Sequence, residues 1–301
     1  MKKTLLGLLG LLMVWSCGNS GINANNGGKE LKGEIIIDGS STVAPISSAV
    51  AEEFFRENRN VNIAIGISGT GGGFKKFAVG EIDIANASRK IKEKEAKEAK
   101  KNGVEYIELQ VALDGIAVVV NKENTWAQEL TEEDLKKIWE NGSKIMNWKE
   151  INPSWPSEVI KLYGPDQDSG TFDYFVEEIL GKDGQIRIDY SPSSDDNQLV
   201  QGVEGDKGSL GFFGYAYYIE QKDKLNAIAV NGIKPTDETV KTGKYKPLSR
   251  PLYIYVNKKS LKEKPEVRAF VEYYLKNASK AVKLTGYVPL SDYTKQLDLI
   301  K

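Results

Sequence analysis

The feature that most constrains this chain is a repeated alternation between apolar segments of strand length and residues at helical spacing. Each apolar segment is followed by a polar or glycine-rich turn and then by an amphipathic stretch. Such alternation predicts an α/β architecture. The first predicted elements are a strand at 34–37, a helix at about 44–58, a strand at 61–67, a helix after residue 67, a strand at 82–85 and a helix at 92–102.

A second region begins after the predicted strand at 115–120, and it has its own strand at 159–163. One more strand at 252–256 precedes an amphipathic helix at 265–278. Two lobes joined by two crossover strands would explain this order, with a mainly five-stranded sheet in each lobe. We expect lobe 1 to comprise residues 34–120 and 251–301, lobe 2 to comprise residues 121–250, and the crossovers to fall near Val120 and Pro251.

The amino-terminal residues have the composition of an export signal. Two lysines precede an apolar stretch that is too short to span a bilayer comfortably. Its end, Val14-Trp15-Ser16-Cys17, resembles a lipobox, which implies cleavage before Cys17 and acylation of its thiol. The alternative is a free or buried thiol, which would be oxidisable at this position. Residues 1–17 are therefore predicted to be a lipoprotein signal, and the Asn- and Gly-rich residues 18–33 a flexible tether.

The composition excludes several classes of function. The sequence contains no histidine, and Cys17 is its only cysteine, so Ser-His-Asp triads, Cys-His dyads and histidine-rich zinc sites are impossible. A formal net charge of -1 lacks the basic excess of a nucleic-acid-binding protein. Any recognition of an anion must come from local groups.

Four short segments place hydroxyls, glycines or an arginine between a predicted strand and a helix. Backbone N–H groups at such junctions can hold an anion. The segments span residues 39–45 with Ser41 and Thr42, 66–74 with Ser68, Thr70 and Gly71, 83–90 with Ser88 and Arg89, and 163–175 with Ser169, Gly170 and Thr171. Each has an ordinary alternative: the first could be a helix cap, the glycine cluster a tight turn, and Arg89 a surface ion pair.

The ordered set of four segments resembles the phosphate-binding protein of the ABC-type phosphate transporter, over essentially the whole mature length. The resemblance implies a two-lobed periplasmic-binding-protein fold of type II, with the ligand in the interlobe cleft and an ABC permease and ATPase as partners. It also implies a set of phosphate contacts at Ser41, Thr42, Thr70, Ser88, Ser169, Gly170 and Thr171.

Two positions depart from the family pattern. Some members have an aspartate where Ser88 stands, and that carboxylate accepts the proton that distinguishes hydrogen phosphate from sulfate. Pro165 takes the place of an arginine just upstream of the Ser-Gly-Thr turn. We infer that Arg89 supplies the missing cation and that Asp168 accepts the proton, although a capping role for Asp168 stays open.

Three further residues, Ser68, Gly71 and Asn197, are secondary candidates for contacts. The adjacent Asp195 and Asp196 have no further acidic residues at calcium-loop spacing, which favours helix capping over metal binding.

The predicted function is capture of inorganic phosphate outside the cytoplasm, in the periplasm or at the cell surface. The alternative is another tetrahedral oxyanion, sulfate or molybdate, because the same helix-terminus chemistry serves them all. An enzyme is disfavoured, because the sequence offers neither a nucleophile with its base nor a metal cluster. We expect a monomer without a cofactor or nucleic-acid partner, held to the membrane by a lipid on Cys17. A surface lipoprotein that has lost ligand binding is a further alternative, and the intact loops argue against it.

Overall fold

The computed structural model describes residues 30–167 and 169–301, and Leu31–Lys301 forms one compact unit. The predicted signal, lipidation site and most of the tether lie outside the described residues, as does Asp168. The strands are β1 (Gly33–Gly39), β2 (Val61–Ile65), β3 (Ile84–Ala87), β4 (Tyr106–Asn121), β5 (Glu129–Leu130), β6 (Lys161–Pro165), β7 (Ser191–Ser193), β8 (Ser209–Gly214), β9 (Leu225–Ala227), β10 (Ala229–Val230) and β11 (Ser249–Asn257).

Helices follow most of these strands, as the alternation predicts. They are α1 (Ala44–Glu57), α2 (Gly69–Ala78), α3 (Glu93–Lys101), α4 (Glu132–Trp139), α5 (Trp148–Ile151), α6 (Gly170–Phe175), α7 (Asp196–Glu204), α8 (Tyr215–Glu220), α9 (Asp237–Lys241), α10 (Lys258–Glu263), α11 (Pro265–Leu284) and α12 (Thr294–Leu299). A π-helical segment, Val176–Leu180, continues directly from α6. Pro45 lies in the first turn of α1, where its missing N–H costs nothing.

The long strand β4 takes part in two groups of strands. Among the described residues the main sheet has the order β2-β1-β3-β11-β4-β8-β6-β7, and β9 also pairs with β4. The first part of β4, up to Gly115, pairs antiparallel with β11, whereas its second part, from Ile116, pairs antiparallel with β8. Strands β1, β2 and β3 are parallel to one another, as are β6, β7 and β8.

Each group of strands has its own hydrophobic core. We call the group β1–β3, with the helices packed on it, lobe 1, and the group β6–β8, with its helices, lobe 2. In lobe 1, Phe54 of α1 and Phe270 of α11 pack edge to face at 5.4 Å beneath the sheet, while Phe74 and Phe77 of α2 cover its other side. In lobe 2, Phe175 stacks on Phe212 at 3.8 Å. Burial of such rings is the main stabilising contribution to each lobe.

Several predicted elements have different limits in the structure. The predicted strand at 61–67 ends at Ile65, and Ile67 is 66% exposed because the chain has already left the sheet. The final crossover strand is longer than predicted, since β11 begins at Ser249, and this brings Arg250 into the strand. The predicted residue limits of the lobes stay a prediction.

Candidate functional site

The first candidate segment lies where β1 ends and α1 begins, in the middle of the parallel strands of lobe 1. Thr42 is buried and Ser41 is partly exposed. The cap residue of α1 is Val43, and its helix end has no side-chain cap. The hydroxyls of Ser41 and Thr42 are therefore not used for capping, which was the ordinary alternative for this segment. The Thr42 hydroxyl instead accepts a hydrogen bond from Nη2 of Arg250 at 3.2 Å.

The second and third segments meet side by side. The Oγ1 of Thr70 lies 3.1 Å from the Oγ of Ser88, and the backbone N–H of Ser88 also donates to Thr70 Oγ1 at 3.1 Å. Gly69 opens α2 with a φ of +74°, a conformation that favours glycine. The structure thus brings together two hydroxyls that are eighteen positions apart.

Ser68 faces a different partner. Its backbone N–H and its hydroxyl both donate to Oδ1 of Asp38, at 3.0 and 2.8 Å, and Lys76 also pairs with that carboxylate. Burial acts to raise the pKa of Asp38, but the bonds from Lys76 and Ser68 hold it below its ordinary value. Ser68 is consequently committed to Asp38 and is not part of the cleft lining.

Arg89 reaches the same cleft, but its guanidinium fork is engaged within lobe 1. Nη1 and Nη2 donate to the two carboxylate oxygens of Glu95 at 2.9 and 2.8 Å, and Nη1 also donates to the Lys90 carbonyl at 3.1 Å. Burial acts to raise the pKa of Glu95, and the bond from Arg89 holds it below its ordinary value. The arrangement is the ion pair that was the alternative for Arg89, and its role as an anion ligand stays a prediction.

The fourth segment opens α6 on the other side of the cleft. Ser169 caps this helix, and its Oγ accepts from the Thr171 N–H at 3.2 Å. Gly170 lies against lobe 1: a β-carbon at this position would be 3.1 Å from Oγ1 of Thr42. The first and fourth segments therefore meet at the contact between Thr42 and Gly170.

Two cavities lie beside these segments. The larger, of about 640 Å³, is lined by the first three segments together with Asp173, Glu178 and Arg250. The smaller, of about 180 Å³, is lined by Ser169, Gly170 and Thr171 together with Pro165, Asp196 and Tyr287.

The amino-terminal end of α7 borders the smaller cavity. Asp195 caps this helix and accepts from the Asn197 N–H at 2.9 Å, as the sequence predicts. Burial, together with the charge of Asp195, raises the pKa of Asp196 to about 6. Asn197 donates to Asp195 and accepts from Tyr217, and it lines neither cavity.

Arg250 is the functional candidate that the sequence reasoning missed. It lies on β11 directly opposite Asp114 of β4, and its side chain is 14% exposed. Its guanidinium carbon lies 3.6 Å from the ring centroid of Tyr174 in α6. No local pattern marks Arg250, because Thr42 and Asp114 are 208 and 136 positions away in the sequence.

The carboxylates of lobe 2 that line the larger cavity respond to burial. Desolvation raises the pKa of Asp173 and of Glu178, and the charge of Arg250 opposes both shifts. Arg89, Lys90 and Lys92 line the opposite side, on lobe 1. The cavity thus has a basic rim on lobe 1, a mainly acidic rim on lobe 2 that also includes Lys182, and Arg250 between them.

Residues 30–167 and 169–301 contain neither a candidate metal cluster nor a candidate membrane-spanning helix. No group of three or more acidic or cysteine side chains there could hold a metal ion. No helix in that part of the chain is both long enough and apolar enough to cross a bilayer.

Comparison with known proteins agrees with this architecture. The family model of the PBP superfamily domain matches residues 24–278. The protein SphX of Synechococcus elongatus is 51% identical over 85% of this chain and 77% of its own length. The phosphate-binding protein PstS of Staphylococcus saprophyticus is 42% identical over 95% of this chain and 89% of its own length.

A solved structure is similar over nearly the same range. The crystal structure of a possible phosphate binding protein from Planctomyces limnophilus has a TM-score of 0.86 and 46% identity, and it covers 90% of this chain and 98% of its own. These matches confirm the predicted two-lobed α/β fold. The chain belongs to the PBP superfamily and, within it, to the family of PstS phosphate-binding proteins.

Proposed function

We propose that this protein captures inorganic phosphate between its two lobes and delivers it to an ABC importer. The observation that carries the proposal is the junction at Thr42, where a hydroxyl of lobe 1 lies against Gly170 of lobe 2 and accepts from Arg250. A ligand bound there would touch both lobes. Similarity to PstS proteins over almost the full chain supports phosphate as that ligand.

The chemistry of the junction suits a small oxyanion. Hydroxyls and backbone N–H groups at the starts of α1, α2 and α6 offer directed donors, and oriented backbone dipoles favour negative charge there. The proposed contacts are Ser41, Thr42, Thr70, Ser88, Arg89, Asp168, Ser169, Gly170 and Thr171, with Ser68, Gly71 and Asn197 as secondary candidates. Ser68 and Asn197 are the weakest members of this set, because neither residue lines either cavity.

The mechanism is binding and release, without covalent chemistry. A ligand that contacts both lobes favours the closed conformation, in which the lobes are near each other. It can shift the equilibrium only by the difference between its affinities for the closed and the open conformation. The closed protein would then dock on a permease that reopens it, driven by an ATPase. We infer a monomer that is not an enzyme and needs no cofactor.

Export and anchoring complete the proposal. The lipobox at residues 14–17 supports lipidation of Cys17, and residues 18–30, which precede the compact unit, would let the folded part stand up to about 45 Å from the membrane. Mass spectrometry of the membrane fraction tests this part. We expect a diacyl modification on Cys17 in the wild type and release of an unmodified Cys17→Ala chain, and an unmodified wild-type thiol would contradict the anchor.

Calorimetry with phosphate, sulfate and molybdate on the purified full chain tests the ligand. We expect tight binding of phosphate and weaker binding of the other two anions. Thr42→Val removes a hydroxyl at constant shape and should weaken phosphate binding at least about tenfold, or about 1.4 kcal/mol. Ser157→Ala, at an exposed serine that bonds Asn147 in lobe 2, is the matched control. Preference for sulfate or molybdate would support the alternative, and no binding of any anion would overturn the proposal.

A further inference from the structure

We propose that Arg250 of β11 is the cation that contacts the bound oxyanion, and that Asp114 and Tyr174 hold its guanidinium at the junction of the lobes. The inference rests on the proposed function and deepens it, because it names a binding residue of the same cleft. Arg250, on strand β11, would thus be the cationic ligand that the sequence pattern predicted at Arg89.

The position of Arg250 is fixed from two sides. Its Nε and Nη2 each lie 3.3 Å from Oδ2 of Asp114, the residue opposite it on β4. Its guanidinium carbon lies over the Tyr174 ring, 3.6 Å from the centroid, in a cation–π contact. A long side chain held in this way loses little further rotamer freedom when it binds a ligand, and so the bound geometry is already prepared.

The guanidinium keeps donors for a ligand. Within residues 30–167 and 169–301, the hydrogen bonds of Arg250 involve Nε and Nη2, which leaves the Nη1 hydrogens available. Nη2 already points at Thr42 in the first anion-binding segment. Within the same residues, Arg89 donates from both terminal nitrogens to Glu95 but also keeps Nε–H and one Nη2 hydrogen, so Arg250 differs from it by its position at Thr42 and not by the presence of free donors.

Burial strengthens the field of Arg250. Its side chain is 14% exposed, compared with 32% for Arg89, so water screens its charge less. Asp114 is almost fully buried, and burial raises the pKa of its carboxyl while the charge and hydrogen bond of Arg250 oppose that rise. Asp173 and Glu178 also face the charge of Arg250 from lobe 2. A bound anion therefore competes with these two carboxylates for the guanidinium.

The location also couples binding to the relative position of the lobes. Arg250 lies on a strand that pairs with β4 where the sheet passes from one lobe to the other. It contacts Thr42 of lobe 1 and Tyr174 of lobe 2 at the same time. An anion bound to Arg250 would therefore contact both lobes at once. These contacts would stabilise the conformation in which the lobes are close together.

Calorimetry with inorganic phosphate on the full chain tests the inference through three single variants. Arg250→Gln should weaken binding roughly 30-fold or more, which is the lower end for loss of a buried, hydrogen-bonded charge. Arg89→Gln should weaken it less than about fivefold, because its fork is already bonded to Glu95. Arg56→Gln, at an exposed arginine paired with Glu52, is the control and should bind as the wild type does.

A double variant separates binding from folding. Arg250→Gln combined with Asp114→Asn removes both buried charges, so no uncompensated carboxylate remains. If the double variant keeps the wild-type melting temperature and still loses about 30-fold in affinity, Arg250 contacts the anion. If the double variant regains wild-type affinity, or if Arg89→Gln loses more than Arg250→Gln, the inference is overturned.

The proposed function can fail separately. If the wild type prefers sulfate, phosphate is the wrong ligand, and the same variants titrated with sulfate decide the role of Arg250. If the wild type binds no oxyanion, both proposals are overturned.

Discussion

Arg89 and Arg250 line the same cavity in different physical environments. Arg89 lies at the rim of lobe 1, about a third exposed, and shares a bidentate bond with Glu95, six positions along the chain. Arg250 lies between the lobes, with Asp114 at 3.3 Å and the Tyr174 ring at 3.6 Å. Proximity of a cation to an anion-binding loop in sequence is therefore a weaker indication of a ligand contact than burial of the cation and its position between the lobes.

The largest effect on stability is expected when Asp114, the buried partner of Arg250, is replaced. Asp114→Asn removes the buried carboxylate that pairs with the Arg250 guanidinium and should lower the free energy of unfolding by about 3 kcal/mol, measured by urea denaturation. The Arg250→Gln/Asp114→Asn double variant should recover most of that loss. Equal destabilisation by Asp114→Asn and Glu95→Gln would break the comparison, because it would mean that the two ion pairs are equivalent.

The next largest effect is expected at the close contact between Gly170 and Thr42, beside Arg250. Gly170→Ala would place a methyl group 3.1 Å from Thr42 Oγ1 and 3.2 Å from its Cα, which pushes the lobes apart. We expect phosphate binding to weaken about tenfold, or about 1.4 kcal/mol, in calorimetry.

Gly71→Ala is the matched change beside Arg89. Gly71 lies within α2, and a β-carbon there would lie 3.8 Å from Nη2 of Arg89, which is an ordinary van der Waals contact. The expected result is a gain in stability of about 0.5 kcal/mol. If Gly71→Ala weakened phosphate binding more than Gly170→Ala, the anion would lie closer to the Arg89 side than we propose.

Asp196 shows what burial does to a carboxylate that has no paired cation among residues 30–167 and 169–301. Its pKa in the folded protein, about 6, exceeds the ordinary value of 3.8, so the folded state binds its proton more tightly than the unfolded state does. The stability that Asp196 contributes is therefore fully present below about pH 4 and is lost as the pH rises through 6.

Removing that charge should make stability less dependent on pH. Asp196→Asn should raise the free energy of unfolding by about 1 kcal/mol at pH 7.5 and leave it unchanged at pH 4, measured by thermal denaturation across that range. Asp195→Asn keeps the helix cap and lowers only the neighbouring charge, so it should give a smaller gain at pH 7.5. A gain that is equal at both pH values would contradict the assignment.

The smallest effect is expected at the partly exposed pair of Arg89 and Glu95. Glu95→Gln should change the free energy of unfolding by at most about 0.5 kcal/mol at pH 7. Because the pKa of Glu95 is lowered in the folded protein, this contribution is present above its ordinary value of 4.5 and disappears as the pH falls through the lowered pKa. Phosphate calorimetry on the same variant sharpens the comparison: a tenfold gain in affinity would show that a freed Arg89 reaches the anion.

Sequence reasoning located the elements whose causes are local. The helix α1 is predicted by the spacing of its apolar residues and by Pro45, and the structure gives it the limits Ala44–Glu57. The capping role of Asp195 and the turn that begins with Ser169 are equally local, since each side chain bonds a backbone N–H two positions ahead. The strand expected at 61–67 ends earlier because alternation alone does not show where pairing partners stop.

The sequence by itself determined the α/β alternation, the four polar segments and the resemblance to the phosphate-binding family, because these depend on spacing within short stretches. Only the tertiary structure decided which charges meet at the cleft. The register between β11 and β4 places Arg250 against Asp114, and the packing of α6 places Tyr174 beneath it. These contacts join residues more than seventy positions apart, so no periodicity or motif could reveal them, whereas strand pairing and burial settle them directly.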